Sequence, residues 1–81
     1  MAEKAGATRS ARVGDIVLFR TQIDNEGFVD DIEVAAIVTR IHPEPGILDL
    51  AIFRPGNTPS ARAKVRYSER EGDLNTWRFR E

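Results

Sequence analysis

The stretch Ile32 to Phe53, IEVAAIVTRIHPEPGILDLAIF, carries two apolar runs on either side of Pro43-Glu44-Pro45-Gly46. The first run, Ile32 to Ile41, is rich in Val and Ile, whose branched side chains suit a pleated, half-buried surface better than a helix. The second, Ile47 to Phe53, alternates, with Leu48, Leu50 and Ile52 on one face. Neither proline fits inside a central strand, and Gly46 can adopt positive φ, so the break between the runs is a tight turn. The stretch is therefore a β-hairpin, and the rest of the chain is expected to pack against it.

Upstream, Gly14 opens a strand over Asp15 to Thr21 (DIVLFRT), with Ile16, Leu18 and Arg20 on one face and Val17, Phe19 and Thr21 on the other. The link Gln22 to Asp31 exceeds the usual hairpin connection and reads as a loop excursion, with Phe28 folding back onto the edge of the core. Downstream, Arg54 to Ser60 holds two prolines, a glycine and an asparagine, and reads as a loop. Ala61 to Tyr67 alternates Ala63, Val65 and Tyr67 against Arg62, Lys64 and Arg66. Ser68 to Asp73 is a charged turn, and the last strand, Asn75 to Arg80, sets Trp77 and Phe79 inward against Thr76, Arg78 and Arg80.

Five strands and no helix predict an all-β fold. An open sheet would leave two exposed edges, a hazard that closure into a barrel reduces. The long first connection, tight central hairpin and short last strands favour a small five-stranded SH3-like barrel. An OB-like barrel is the alternative, but residues 54–60 cannot supply the helix that fold usually carries. The barrel domain spans residues 13–81. Residues 1–12 have almost no large apolar side chain and are expected to form a flexible N-terminal arm.

At 81 residues the chain supports one domain with a small core. It has no cysteine, hence no disulfide framework or thiolate site. No apolar run approaches the roughly 20 residues that cross a bilayer, and the first residues lack the apolar centre of a signal peptide. A soluble protein made in the cytoplasm, with no membrane partner, is expected. The net charge of −1 argues against a dedicated nucleic-acid binder. Charge is nonetheless segregated: Asp24, Glu26, Asp30, Asp31 and Glu33 lie close together without a cation, while Arg62, Lys64, Arg66, Arg78 and Arg80 crowd the last two strands. Such asymmetry bears on partners rather than on fold.

No nucleophile–base pair assembles from the residue types present. His42 is the single histidine and sits at a turn, and Ser10, Ser60 and Ser68 lie in polar contexts. No catalytic residue and no cofactor are expected. The acidic residues offer oxygen ligands that calcium accepts, but their spacing is not that of an EF-hand loop, and no metal site is expected. Arg62, Lys64 and Arg66 point one way on a regular strand, and Arg78 and Arg80 extend that stripe if the last strand lies antiparallel beside it. Such a stripe can track a phosphate backbone. The aromatics that stack bases would then fall on the opposite face, which weakens the reading. An acidic loop meeting a basic sheet on another copy is a head-to-tail contact that closes into rings or grows into arrays, so a homo-oligomer or array is expected.

GDIVLF (14–19), AAIVTRI (35–41), LDLAIFRPG (48–56), VRYSE (65–69) and NTWRFRE (75–81) resemble successive blocks of small, mostly uncharacterised proteins encoded by tailed phages and prophages. The resemblance covers about residues 13–81. The chain departs at Arg78-Phe79-Arg80, where the similar proteins often carry a second Trp and a Pro. The resemblance implies a phage context, in which small non-catalytic barrels with a polar arm often serve as virion parts, capsid decoration or cement proteins above all. The expectation is a non-enzymatic virion protein, made in the host cytoplasm, that binds a phage structural protein such as the major capsid protein. Lys4, Arg9 and Arg12 of the arm, with Asp24, Glu26, Asp30 and Asp31, are the expected contacts. The alternatives are a nucleic-acid-binding regulator acting through Arg62, Lys64, Arg66, Arg78 and Arg80, and an inhibitor of a host protein.

Overall fold

The computed structural model describes residues 10–80. Five strands form: β1 (Ile16–Asn25), β2 (Phe28–Ile41), β3 (Ile47–Phe53), β4 (Ser60–Tyr67) and β5 (Thr76–Arg78). They close into one barrel in chain order, with antiparallel neighbours throughout except at the seam. There β4 and β5 run parallel through Arg66–Thr76 and Tyr67–Trp77, so the antiparallel arrangement on which the extended cationic stripe depended is not met. It is antiparallel to β1, pairing Phe19 with Trp77.

The core follows from the alternation. Val17 and Phe19 from β1, Val34, Ala36 and Val38 from β2, and Leu48, Leu50 and Ile52 from β3 all point inward, joined by Val65 and Trp77. The turn after Ile41 forms as expected, with Gly46 at φ +79°. A side chain there would stand 3.2 Å from Cβ of Tyr67, so glycine is required for space as well as for backbone angle. Trp77 donates its indole N–H to the Gly46 carbonyl at 2.9 Å, which ties the last strand to the central hairpin.

Three expectations are corrected. First, Gln22 to Asp31 is not a loop. β1 and β2 pair without a break from Ile16–Ile37 out to Asn25–Phe28, and Glu26-Gly27 makes a two-residue turn with φ of 54° and 89°. Two positive φ values match the right-handed twist of paired strands, which is why this turn continues a ladder instead of splaying it. Phe28 therefore stands on the projecting hairpin, 74% exposed, rather than folded onto the core.

Second, β4 is not regular. Leu50 pairs with Arg62 and Leu48 with Val65, so two residues of β4, Ala63 and Lys64, oppose Asp49 alone. Lys64 takes φ 55° in this bulge. Of Ala63, Val65 and Tyr67, only Val65 is buried. A second bulge, at Thr39 of β2, lies against the same part of β3. Bulges bend and twist a strand, and these two flank β3 where the sheet must curl to close.

Third, the arm boundary moves. Ala11 is 9% exposed and packs into the core cluster, so the packing of the barrel begins before residue 13. Gly14 donates to the Val38 carbonyl at 2.8 Å and Val38 to that of Asp15 at 2.9 Å, anchoring this segment before β1 begins.

Candidate functional site

The β1–β2 hairpin outruns its neighbours. β5 meets β1 at Leu18–Arg20, and β3 meets β2 from Ala35 onward. Beyond those pairs the two strands continue to the turn, about 14 Å at the usual strand rise, with no other strand paired to them among the described residues. The principal extents of 44 × 23 × 18 Å and the radius of gyration of 13.2 Å reflect this projection, since a compact domain of this length has a radius near 12 Å.

The register assigns the hairpin's two faces. The core-side face continues from Phe19–Val34 through Thr21–Ile32 and Ile23–Asp30 to Phe28. It grades from fully buried Phe19 through half-buried Ile32 to exposed Phe28. The opposite face carries Arg20–Glu33, Gln22–Asp31 and Asp24–Val29. Gln22 donates to Asp31 at 3.0 Å, and Asp24 accepts the Gly27 N–H at 3.2 Å, which holds the turn. The tip thus presents Phe28 and Val29, both well exposed, among Asp24, Glu26, Asp30 and Asp31.

At the hairpin's root lies a charged cleft lined by Arg20, Glu33, Glu69, Glu71 and Arg78, with a volume of about 530 Å³. Glu33 is its hub. Arg78 grips it with two donors, at 2.5 and 2.8 Å, and Arg20 adds a third at 3.2 Å. The Arg78 hydrogen bond above all, then its charge and the bond from Arg20, hold the Glu33 carboxyl below the ordinary carboxylate range; partial burial opposes them. Arg20 is only 7% exposed and also donates to the carbonyls of Ser68 at 3.0 Å and Arg70 at 2.7 Å. The root is thereby fastened to the β4–β5 connection.

At the far end of the barrel, Tyr67, Trp77 and Phe79 pack edge-on or tilted against one another at centroid distances of 4.8 to 5.8 Å. They line a groove of about 580 Å³ together with Ala11, Ile41, Pro45 and Ile47. His42 sits at its rim with a partner the sequence reading missed: its Nε2 lies 2.7 Å from Oδ1 of Asp49. That oxygen also accepts the N–H of Lys64 at 2.9 Å. The Lys64 N–H first, and then His42, hold the Asp49 carboxyl below the ordinary range. Asp49 thus ties the β4 bulge to the turn after β2.

Of the expected contact residues, Asp24, Glu26, Asp30 and Asp31 share the hairpin tip. Arg12 is exposed and its N–H bonds Asp15 at 2.8 Å; Lys4 and Arg9 lie outside the described residues. The five cations do not form one stripe. Arg62 pairs with Leu50 on the core side of the ladder, its guanidinium 5.9 Å from the Phe19 ring centroid. Lys64 sits in the bulge, Arg66 pairs with Ile47 after the phase has changed, and Arg78 is committed to Glu33. Arg80 is exposed. Among the described residues no three His, Asp or Glu side chains converge as a metal site, and no helix is long and apolar enough to cross a membrane. The chain matches no protein-family model, no curated protein and no solved structure.

Proposed function

We propose that this protein is a non-catalytic structural component of a tailed-phage particle, a head-decorating or cement protein. In this reading the β1–β2 hairpin docks on the major capsid protein, and the barrel, of SH3-like type, is the body that holds the hairpin out. The observation that carries the reading is the projection itself: a hairpin fastened at its root through Arg20 and Glu33, with exposed Phe28 and Val29 at its tip. Large apolar side chains on a solvent-exposed tip cost nothing in the core and gain energy only when covered. Aromatic anchors of this kind commonly dominate protein–protein contacts. Many copies on a repeating lattice would add weak contacts through multivalency. The phage context is supported by the blocks GDIVLF, AAIVTRI and NTWRFRE.

The test is mass spectrometry of gradient-purified virions, with copy number taken against the major capsid protein. Hundreds of copies per particle are expected. About a dozen or fewer, the count of a ring at one vertex, would move the protein to a connector or tail, and absence from particles would overturn the structural reading. The nucleic-acid alternative loses support from the broken cationic stripe.

A further inference from the structure

The hairpin's outer strand has an open edge. In an antiparallel ladder, residues alternate between those that bond their cross-strand partner and those whose N–H and C=O point away. The two-residue turn makes Asn25–Phe28 a bonded pair, so Ile23–Asp30 and Thr21–Ile32 bond as well. Val29, Asp31 and Glu33 then direct their backbone groups away from β1. Their continuation in the same phase, Ala35 and Ile37, is where β3 pairs. Among the described residues no strand pairs with β2 on that side before Ala35. Residues 28–33 thus offer a strip of backbone donors and acceptors in line with the β2–β3 ladder.

We propose that this edge receives an added β-strand from a partner protein, and that the strand is basic. Strand addition derives affinity from main-chain hydrogen bonds and specificity from side chains on alternate faces. Here both faces are acidic: Asp30 lies on the core side and Asp31 on the other, with Asp24 and Glu26 at the tip. An incoming strand with Lys or Arg on both faces meets opposite charge on each. A second copy of the same edge would instead set Asp30 and Asp31 close to their own counterparts, and like charges in cross-strand positions are destabilising. The occupant is therefore a cationic extended segment of another protein. Phe28 and Val29 add apolar contact at the open end of the strip.

This inference rests on the hairpin being the docking element, not on the particle. The test titrates the isotope-labelled full chain, at low salt, with the capped heptapeptide Val-Lys-Lys-Val-Lys-Lys-Val, whose lysines fall on both faces of a strand. The amides of Val29, Asp31 and Glu33 are expected to exchange about tenfold more slowly at saturation, while those of Asp30 and Ile32, already bonded to β1, change little. Raising salt from about 50 to 300 mM should weaken binding several-fold. Val29→Pro removes one outward N–H at an edge position where proline is tolerated, and should weaken binding about tenfold. Should that variant lose the hairpin, the double variant Asp30→Lys, Asp31→Lys serves instead: it should lose the Lys–Val peptide and take a Glu–Val one. Failure to bind, protection elsewhere on the barrel, or indifference to charge reversal would overturn the proposal. Peptide capture by a protein absent from virions would remove the phage reading and leave this one standing; the converse result would remove this one alone.

Discussion

Asp49 accepts the backbone N–H of Lys64 at 2.9 Å, at the point where β4 carries one residue more than β3. The bond satisfies a donor that the bulge removes from the ladder, and the same carboxylate oxygen meets His42 from the opposite neighbour. One side chain on β3 thus joins the β4 bulge to the turn that follows β2. Asp49→Ala is expected to lower the thermal midpoint, and Asp49→Asn to lower it less, because the amide keeps an oxygen for the Lys64 N–H. Lys64→Gly should hold or raise it, since φ 55° costs a side-chain-bearing residue about 1–2 kcal/mol. Thermal unfolding of the three variants followed by circular dichroism checks the set.

Acid should weaken the barrel through two carboxylates. Glu33 and Asp49 are both held below the ordinary carboxylate range by the groups they bind. Their folded-state pKa values lie below the unfolded ones, so the unfolded chain takes up protons first as pH falls. The stability they contribute is fully present above about pH 4.5 and is lost as pH drops through and below roughly 4. Arg78→Gln removes the main influence on Glu33 and should flatten that part of the profile. Midpoints measured between pH 3 and 7 for both proteins give the comparison.

Glu26 occupies the first position of a turn that favours Asn-Gly. Glu26→Asn keeps φ 54° at lower cost and should stabilise the hairpin by about 0.5–1 kcal/mol. Its chemical readout is local: the amides of Ile23, Asp30 and Ile32 should exchange more slowly, with little change in the core.

Gly46 tolerates no side chain. Gly46→Ala must fit a methyl 3.2 Å from the Tyr67 Cβ at a φ of +79°, and should cost about 1–3 kcal/mol. Because the Gly46 carbonyl accepts from the chain's single tryptophan, the emission of Trp77 should shift in the folded state as well as at the unfolding transition.

The central hairpin was legible because Val, Ile and Leu alternate around a turn that only prolines and glycine could make. The outer hairpin was not, because beyond Thr21 its strands leave the core and lose the alternation that marks a strand. Glu26-Gly27 between two pairable runs was the available signal. The bulge at Lys64 was hidden for the opposite reason: Arg62, Lys64 and Arg66 alternate perfectly in sequence, and only the count against β3 reveals the extra residue. The His42–Asp49 contact spans a turn whose register depends on the bulge at Thr39, so spacing along the chain did not expose it.

Arg20 is the residue on which the hairpin's position depends. It lies under the β4–β5 connection, donates to two of that segment's carbonyls and to Glu33, and its own carbonyl accepts the Asn75 N–H at 2.8 Å. Removing the guanidinium takes a donor from the Ser68 carbonyl, leaves the Arg70 carbonyl with only the Asp73 N–H at 3.3 Å, and leaves Glu33 to Arg78 among the described residues. Arg20→Ala should therefore cost about 2–4 kcal/mol, the range for losing a buried, hydrogen-bonded charge. Lysine should not restore it, since a single ammonium cannot reproduce a planar fork that reaches three oxygens on two elements. Local effects should exceed global ones: amides of residues 68–75 should lose protection before those of Phe19 or Leu50. Urea unfolding of Arg20→Ala and Arg20→Lys, read beside site-resolved hydrogen exchange, tests both statements. A loss under about 1 kcal/mol with unchanged exchange in residues 68–75 would mean that Ser68–Asp73 and Thr76–Asp73 hold the connection by themselves.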